Sequence, residues 1–295
     1  MSSFKKQIPE FKKSIDDHLK MILSESDQSS EELCQAMEYS VINGGKRIRP
    51  MMMFASAITI DIHTEHVIPF AIAIELLHSF SLIHDDLPCM DDDSLRRGQP
   101  TTHVKFGEAT ATLAADSLQS LAFELMAKAQ FPESKSSQLE LISMIANSIG
   151  SAGMAGRQSL DLDSENKKLD PSSVENIYML KTGKLLQASI LGPTYFRALD
   201  EEKVSALKNF SESIGVAFQI QDDLIEAVGD AETIGKSIES DKSKNKAAYP
   251  LLFGVSESKK RVENLYESAC NSLEIFGESS SSLMDMAEII IRRKL

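Results

Sequence analysis

An apolar stretch at residues 70–83 runs directly into a cluster of aspartates, and this join constrains the fold more than any other feature of the chain. A helix that is apolar on nearly every side belongs in the interior of a protein. The sequence therefore predicts a buried helix whose carboxyl end carries acidic side chains. The cluster contains Asp85, Asp86 and Asp91.

A second acidic cluster has the same arrangement. Residues 214–220 are mostly apolar and lead into Asp222, Asp223 and Glu226. Asp222 and Glu226 are four positions apart, so they share one face of a helix. A single acidic run is usually a solvated helix end or loop. Two buried helices that each end in clustered carboxylates are hard to explain in that way.

The chemistry of the two clusters indicates a metal ion. Carboxylates packed this densely repel one another unless a cation neutralises them. Their oxygen atoms suit a hard ion such as Mg²⁺, which takes one or two protein carboxylates and completes its shell with phosphate oxygens and water. The clusters therefore point to Mg²⁺ and to a substrate that carries phosphate.

Helical periodicity dominates the whole sequence, and no convincing stretch alternates between apolar and polar residues as a strand would. No repeat, low-complexity tract or linker marks a domain boundary. We expect one all-α domain over residues 1–295, with the two acidic clusters meeting in a central cavity. Helices are predicted at about 4–23, 29–43, 49–60, 66–87, 108–130, 136–162, 171–191, 202–227, 246–254, 257–275 and 279–293.

Pro88 interrupts the helix that leads into the first cluster. A proline removes a backbone hydrogen bond and clashes with the preceding turn, so the helix should loosen near Leu87. Asp91 then need not follow ideal helical spacing. Asp85 and Asp91 can converge on one metal ion across the distorted turn.

Charge and cysteine content narrow the partners and the compartment. The net charge of −13 argues against a nucleic-acid partner, because recognition of that backbone needs a positive surface. Cys34, Cys89 and Cys270 form no disulfide framework and fit a reducing compartment. We find no signal sequence and expect no apolar span of eighteen residues, which predicts a soluble, cytoplasmic protein without membrane insertion.

Basic residues occur at isolated points of this acidic chain. Residues 44–50 read Gly-Gly-Lys-Arg-Ile-Arg-Pro, in which two glycines let the backbone approach an anion and the cations can clamp a phosphate. Taken alone, each of these cations is typical of a solvated side chain. Outside residues 44–50, the basic residues singled out are Arg96, Arg97, Lys181 beside Thr182, Lys236 and Lys246.

Together these motifs resemble the isoprenyl diphosphate synthases, the trans-prenyltransferases, and most closely their short-chain bacterial farnesyl-type group. The similarity runs from about Tyr39 to Pro250, with the motifs in family order. Besides residues 44–50, they are the aspartates of 85–91 with Arg-Arg-Gly at 96–98, Lys-Thr-Gly at 181–183, and Phe-Gln-Ile-Gln-Asp-Asp at 218–223.

The resemblance implies a fold, a reaction and a cofactor. The fold is a bundle of long antiparallel helices around a deep apolar pocket, usually as a homodimer. The reaction is the head-to-tail condensation of isopentenyl diphosphate with an allylic diphosphate, dimethylallyl or geranyl, that ionises first. The cofactor is Mg²⁺, with three ions when substrate is bound, and Mn²⁺ as a possible substitute.

Site residues follow from the resemblance, position by position. The metal-binding carboxylates are Asp85, Asp86, Asp91, Asp222, Asp223 and Glu226. The residues that would hold isopentenyl diphosphate are Gly45, Lys46, Arg49, His78 and Arg97. The residues that would contact the allylic diphosphate or line the reacting centre are Arg96, Lys181, Thr182, Gln219, Lys236 and Lys246.

The most detailed prediction concerns the chain length of the product. Phe80 and Ser81 lie five and four residues before Asp85, which places Phe80 about 7.5 Å down the helix axis from the carboxylate end. In the resembling family, an aromatic residue here and the longer acidic loop seen at Pro88-Cys89 go with a fifteen-carbon product. We therefore expect farnesyl diphosphate, although Phe80 also fits an ordinary core position.

The sequence departs from the family pattern at a few positions, which are Glu226, Arg157, Glu239 and the pair Ala247-Ala248. Alternatives also stay open. Geranyl or geranylgeranyl diphosphate can be the product, and the chain can be a non-catalytic partner subunit. A terpene cyclase shares the acidic motif but needs no second diphosphate clamp, and a generic ion-binding helical protein leaves the ordered cations unexplained.

Overall fold

A computed structural model describes residues 4–25, 30–132, 134–156, 170–179, 183–233 and 248–292, without the side chains of 228–233. This part of the chain is almost entirely helical, which confirms the predicted all-α class. The helices are α1 (Phe4–Glu25), α2 (Glu31–Ile42), α3 (Ile48–Thr59), α4 (Thr64–Asp86), α5 (Thr102–Phe106), α6 (Glu108–Lys128), α7 (Lys135–Ile149), α8 (Pro171–Tyr178), α9 (Lys184–Leu191), α10 (Glu201–Thr233), α11 (Tyr249–Phe253), α12 (Val255–Ser272) and α13 (Ser281–Ile291).

Smaller elements complete the described chain. Short 3₁₀ helices occur at Gly192–Phe196 and Glu274–Ser280. The strands β1 (Leu95–Arg96) and β2 (Gln99–Pro100) pair antiparallel in a small hairpin, which the sequence analysis did not predict. Two residues per strand are too few for a recognisable period. The turn between them places Arg97 and Gly98 at positive φ, 54° and 75°.

Several predicted helix boundaries were wrong. The helix expected at 136–162 ends at Ile149, where Gly150 caps it and a turn follows. The second helix begins at Glu31, because the Ser30 side chain accepts a hydrogen bond from the Leu33 N–H and acts as the N-cap. Thr102–Phe106 forms a separate short helix, which the sequence analysis missed.

The apolar helix α4 is the centre of the larger core. It packs against α3 and α6, and Phe70, Ile74 and Leu77 on it are fully buried. Contrary to our expectation, its length and mean hydropathy of 1.6 would suffice to cross a membrane. However, 67% of that window is buried inside the protein, as in the core helix of a globular fold.

Helix α10 carries the second acidic cluster and packs mainly against helices other than α4. It packs against α12 most extensively, and also against α9 and α11. Helix α9 contacts α3, α4 and α10, and so connects the two acidic helices. At one point α10 approaches the chain before α9 very closely, because a Cβ added to Gly215 would lie 3.0 Å from the Gly183 Cα.

Candidate active site

The first acidic cluster lies where α4 ends. Leu87 leaves the helix in an extended conformation, as Pro88 predicts. The chain then turns back, so that the Asp91 N–H donates to the Asp85 carbonyl oxygen at 2.8 Å. Asp85 and Asp91, six positions apart in sequence, are therefore neighbours in space, and both are half-buried.

Asp86 has a different environment from Asp85. It is 3% exposed, and both of its carboxylate oxygens accept hydrogen bonds from the Arg96 Nε, at 2.7 and 2.8 Å. Burial raises the pKa of Asp86, and the hydrogen bond and charge of Arg96 offset this only in part. Asp86 and Arg96, predicted as a metal ligand and a diphosphate ligand, are thus bound to each other.

The cationic turn, residues 44–49, lies against the hairpin. The Arg97 guanidinium donates to the Gly44 carbonyl oxygen. Gly45 has a φ of +131°, and a Cβ there would come within 3.1 Å of the Arg97 Nη1. Glycine is needed here both for its backbone conformation and for this close approach. The structure thus brings Gly45 and Arg97 together, as predicted from motifs 52 positions apart.

His78 lies among the arginines of the same region. Its partial withdrawal from water lowers the pKa of His78 well below its usual range, and the positive charges of Arg49, Arg97, Arg96 and Arg47 lower it further. A neutral imidazole can still donate or accept a hydrogen bond. The predicted residues Arg49 and Arg97 therefore lie near the neutral His78, and we call these two cations together with the imidazole the cationic wall; Lys46 is exposed.

The second cluster contains a hydrogen-bonded aspartate as well. Asp223 Oδ1 accepts from the Gln219 side-chain amide at 3.0 Å. Asp223 Oδ2 accepts from the Tyr178 hydroxyl and from the Tyr249 N–H, the latter at 3.2 Å. These bonds join α8, α10 and the start of α11. Asp223, predicted as a metal ligand, is thus held by three protein donors.

The other residues of this cluster lie on the neighbouring faces of α10. Asp222 and Gln219 are half-buried, and Glu226 is exposed. Gly183, the last residue of the Lys-Thr-Gly motif, packs on Gly215, one helical turn before Gln219. This contact brings the end of that motif beside α10. The predicted residues Lys181, Thr182, Lys236 and Lys246 lie outside the described residues, as do Arg157, Glu239 and Ala247.

The candidate chain-length residues lie on α4. Phe80 is half-buried and stacks edge-on against His84, with ring centroids 4.7 Å apart. Ser81 is buried, and its hydroxyl donates to the His78 carbonyl oxygen at 2.8 Å. Phe80 also packs against the main hydrophobic core, so both its predicted roles remain open.

The donor set fits Mg²⁺. Asp85, Asp91 and Asp222 offer only carboxylate oxygens, which this ion prefers. Within the described residues, no group of three or more acidic, histidine or cysteine side chains converges as a metal-binding set. Mg²⁺ commonly uses one or two protein carboxylates and takes its other ligands from phosphate and water. The residues present therefore suit an ion that arrives with a diphosphate.

Several residues that support the candidate site were not predicted from the sequence. Arg47 is almost fully buried between Asp16 and Glu75, and Tyr178 and Tyr249 hold Asp223. Glu75 carried a signal, since it is the one acidic residue within an apolar stretch. The tyrosines and Asp16 carried none, because nothing in the sequence relates them to residues 26–45 positions away.

Comparisons with known proteins agree on one family. The polyprenyl synthetase family matches residues 30–279. The chain is 42% identical to a farnesyl diphosphate synthase of Escherichia coli (strain K12) over 264 residues, 88% of each protein. It is 38% identical to a geranylgeranyl diphosphate synthase of Cyanophora paradoxa over 259 residues, 88% of this chain and 86% of that protein. The crystal structure of a geranyltransferase from Legionella pneumophila superposes with a TM-score of 0.88 at 31% identity, covering 99% of this chain and 98% of the other.

Proposed function

This chain belongs to the polyprenyl synthetase family, and we propose that it condenses isopentenyl diphosphate with dimethylallyl or geranyl diphosphate, head to tail. One observation carries the proposal. The cationic wall of Arg49, His78 and Arg97 gathers around a glycine turn, whereas the acidic residues lie at the end of α4 and, contrary to the sequence expectation of a helix end, within α10, which continues to Thr233. Two sites of different chemistry suit two diphosphate substrates.

The acidic clusters are assigned to the allylic diphosphate. Asp85, Asp91 and Asp222 would hold the Mg²⁺ ions at this subsite, with Mn²⁺ as the alternative ion. When bound, the metal neutralises the charge that builds on the leaving diphosphate. Three ions with substrate are part of the proposal. Lys181 and Lys236 are assigned to the same diphosphate, with Lys246 at its edge, from the sequence alone.

The cationic wall is assigned to isopentenyl diphosphate. Its guanidinium groups offer forked donors to phosphate oxygens, and Lys46 adds a mobile point charge. The backbone of Gly45 adds a donor that no side chain obstructs. Holding the second substrate close and aligned removes most of the entropic cost of joining two molecules.

Water must be excluded from the reacting carbons, because it would attack the allylic cation. The allylic carbon–oxygen bond breaks with its electron pair on the diphosphate, and the double bond of isopentenyl diphosphate forms the new carbon–carbon bond. A proton then leaves the adduct, and we assign the released diphosphate as its acceptor. Apolar helices such as α4 keep water from the cation. Thr182 and Gln219 are assigned to the reacting centre.

The second aspartate of each pair receives a different role from the one the motif suggests. Asp86 is assigned to hold Arg96, and Asp223 to hold α8 and α11 against α10. Each carboxylate has both oxygens in hydrogen bonds with protein donors. We assign metal binding to Asp85, Asp222 and Asp91, as the resemblance implies, with Glu226 at the rim.

A direct assay tests the condensation. Purified protein, Mg²⁺, geranyl diphosphate and labelled isopentenyl diphosphate should give a chain-elongated diphosphate. A cyclic hydrocarbon would instead indicate a terpene cyclase. A folded protein without turnover would indicate a partner subunit, which is the remaining alternative. Omission of the metal should abolish turnover, because Asp85, Asp91 and Asp222 cannot neutralise a leaving diphosphate themselves.

The two subsites can be separated by mutation. Lys46→Ala or Arg49→Ala should raise the KM for isopentenyl diphosphate more than that for geranyl diphosphate. The loss of one charge-assisted contact costs about 1.5–3 kcal/mol, which is a factor of roughly ten to a hundred in affinity. Equal increases in both KM values would contradict the assignment of two subsites.

The product is proposed to be farnesyl diphosphate, with geranyl or geranylgeranyl diphosphate as the alternative. The similarity to the Escherichia coli and Cyanophora enzymes supports both fifteen and twenty carbons. Phe80→Ala should shift the product to twenty carbons or more if its ring ends the pocket. An active variant with unchanged products would remove Phe80 as the stop and leave it a core residue.

Assembly and location complete the proposal. We infer one domain over residues 1–295, a homodimer in solution and a cytoplasmic location, without nucleic-acid binding or membrane insertion. The three cysteines support a reducing compartment, because Cys34, Cys89 and Cys270 are all free. Sedimentation at micromolar concentration tests the dimer.

A further inference from the structure

Arg47 joins the cationic turn to three helices. Its side chain is 2% exposed. The Nε donates to Asp16 on α1 at 2.8 Å, and one terminal nitrogen donates to Glu75 on α4 at 2.7 Å. The other terminal nitrogen donates to the carbonyl oxygen of Val41 on α2 at 2.8 Å. All three guanidinium nitrogens therefore have a partner.

The position of Arg47 affects the residues on both sides of it. It is the N-cap of α3 and has a φ of +52°, which is uncommon for a residue with a side chain. A Cβ on Gly45 would lie 3.4 Å from the Arg47 Nη1 and 3.1 Å from the Arg97 Nη1. The buried guanidinium therefore packs beneath the turn that presents Lys46 and Arg49.

A buried arginine needs negative partners. Glu75 supplies one buried carboxylate, and Asp16 supplies a second that is 25% exposed. Asp16 comes from α1, which precedes the family match that begins at residue 30. Asp16 also bonds Lys12 on its own helix at 3.0 Å, so Arg47 is its only described ion-pair partner from another element.

We propose that Asp16 is a positioning residue for isopentenyl diphosphate, because its bond to Arg47 holds the cationic turn in its binding shape. This inference rests on the proposed function. It makes α1 part of the substrate site although no residue of α1 is predicted to touch substrate. Its effect should appear in the binding of one diphosphate and not of the other.

The matched pair Asp16→Asn and Asp17→Asn tests the inference. Both changes remove one negative charge from the same helix, but within the described residues Asp17 forms an ion pair only with the exposed Lys13. Asp16→Asn should raise the KM for isopentenyl diphosphate about fivefold or more and leave kcat and the KM for geranyl diphosphate within about twofold. Asp17→Asn should change none of the three.

Two further variants separate positioning from folding. Lys12→Ala removes the other partner of Asp16 and should leave the KM for isopentenyl diphosphate unchanged. Asp16→Glu keeps the charge and should restore part of the affinity. Equal KM increases for both substrates, or a lower Tm without a KM change, would mean that Asp16 serves only the stability of the fold and would overturn the inference.

Direct binding keeps this test independent of turnover. Titration calorimetry with isopentenyl diphosphate alone, without metal or allylic substrate, should show weaker binding for Asp16→Asn than for Asp17→Asn. If the wild-type protein binds isopentenyl diphosphate but makes no product, the proposed condensation fails and the calorimetry still decides the role of Asp16. If the wild-type protein does not bind it, the inference is overturned.

Discussion

The two acidic clusters stabilise their second aspartates by different means. Asp86 faces the guanidinium of Arg96, so a buried negative charge meets a positive one. Asp223 faces an amide, a hydroxyl and a backbone N–H, all of which are neutral. In the bonds named here, the second aspartate of the pair thus joins an ion pair on α4 and a network of neutral donors on α10.

The difference bears on how much charge remains for a metal. In the first cluster Arg96 offsets the charge of Asp86 and also lies 3.8 Å from Asp93. In the second cluster neutral donors leave the charge of Asp223 in place beside Asp222 and Glu226. The three donors named for Asp223 bring no positive charge, so the lysines that the sequence predicts near the second cluster are the cations expected to balance its carboxylates.

The largest effect should come from the first aspartate of each pair. Asp85→Ala and Asp222→Ala should each lower kcat about a thousandfold or more, because each removes a carboxylate that holds Mg²⁺ at the leaving group. Steady-state assays at saturating Mg²⁺ measure this, and circular dichroism checks the fold. Near-native turnover in either variant would mean that the metal is held elsewhere.

The ion pair between Asp86 and Arg96 should affect the stability of the fold more than it affects turnover. Asp86→Ala should lower the free energy of unfolding by about 2 kcal/mol, less than for a fully buried pair because a third of Arg96 stays in water. Urea denaturation measures the loss. In a double-mutant cycle, adding Arg96→Ala should recover part of it. Additive losses would show that the two side chains stabilise the fold independently.

The neutral network should respond to a single hydroxyl. Tyr178→Phe keeps the ring but removes the donor to Asp223, and should lower the free energy of unfolding by about 1–2 kcal/mol. Tyr249→Phe is the matched control, since Tyr249 reaches Asp223 through its backbone and its hydroxyl is 3.5 Å from Glu175. Equal losses in the two variants would contradict the network.

The smallest effect should be the pH dependence of stability that comes from His78, which lies near the first cluster. His78 stays neutral in the folded protein, but in the unfolded chain it takes up a proton near pH 6.5. Stability should therefore fall on acidification, by about 0.7 kcal/mol between pH 7 and pH 6 from this residue. His78→Gln should remove that share, as thermal unfolding at the two pH values can test. An identical pH dependence in the variant would exclude His78 as its source.

Local patterns predicted the framework well. The apolar stretch at 70–83 gave the buried helix α4, and Pro88 gave its end near Leu87. The convergence of Gly45, His78 and Arg97 followed from the resemblance and agrees with the geometry. These features depend on short-range periodicity or on motifs whose order identifies a family.

Other features depend on contacts that no local pattern encodes. Asp16 and Arg47 are 31 positions apart, and Tyr178 and Asp223 are 45 apart. Two adjacent aspartates look alike in sequence, yet they point in directions about 100° apart on a helix. Only the packing of neighbouring helices decides that Asp86 meets Arg96 and that Asp223 meets Tyr178.

The apolar character of α4 has a consequence for the growing polypeptide. During synthesis, residues 64–86 are made before α6 at 108–128, which covers much of their surface. Until then, the nascent chain carries an uncovered apolar segment that is prone to aggregation. Helix α6 therefore serves in cis as the cover of this segment, and a chain truncated before residue 108 should be recovered mainly as aggregate.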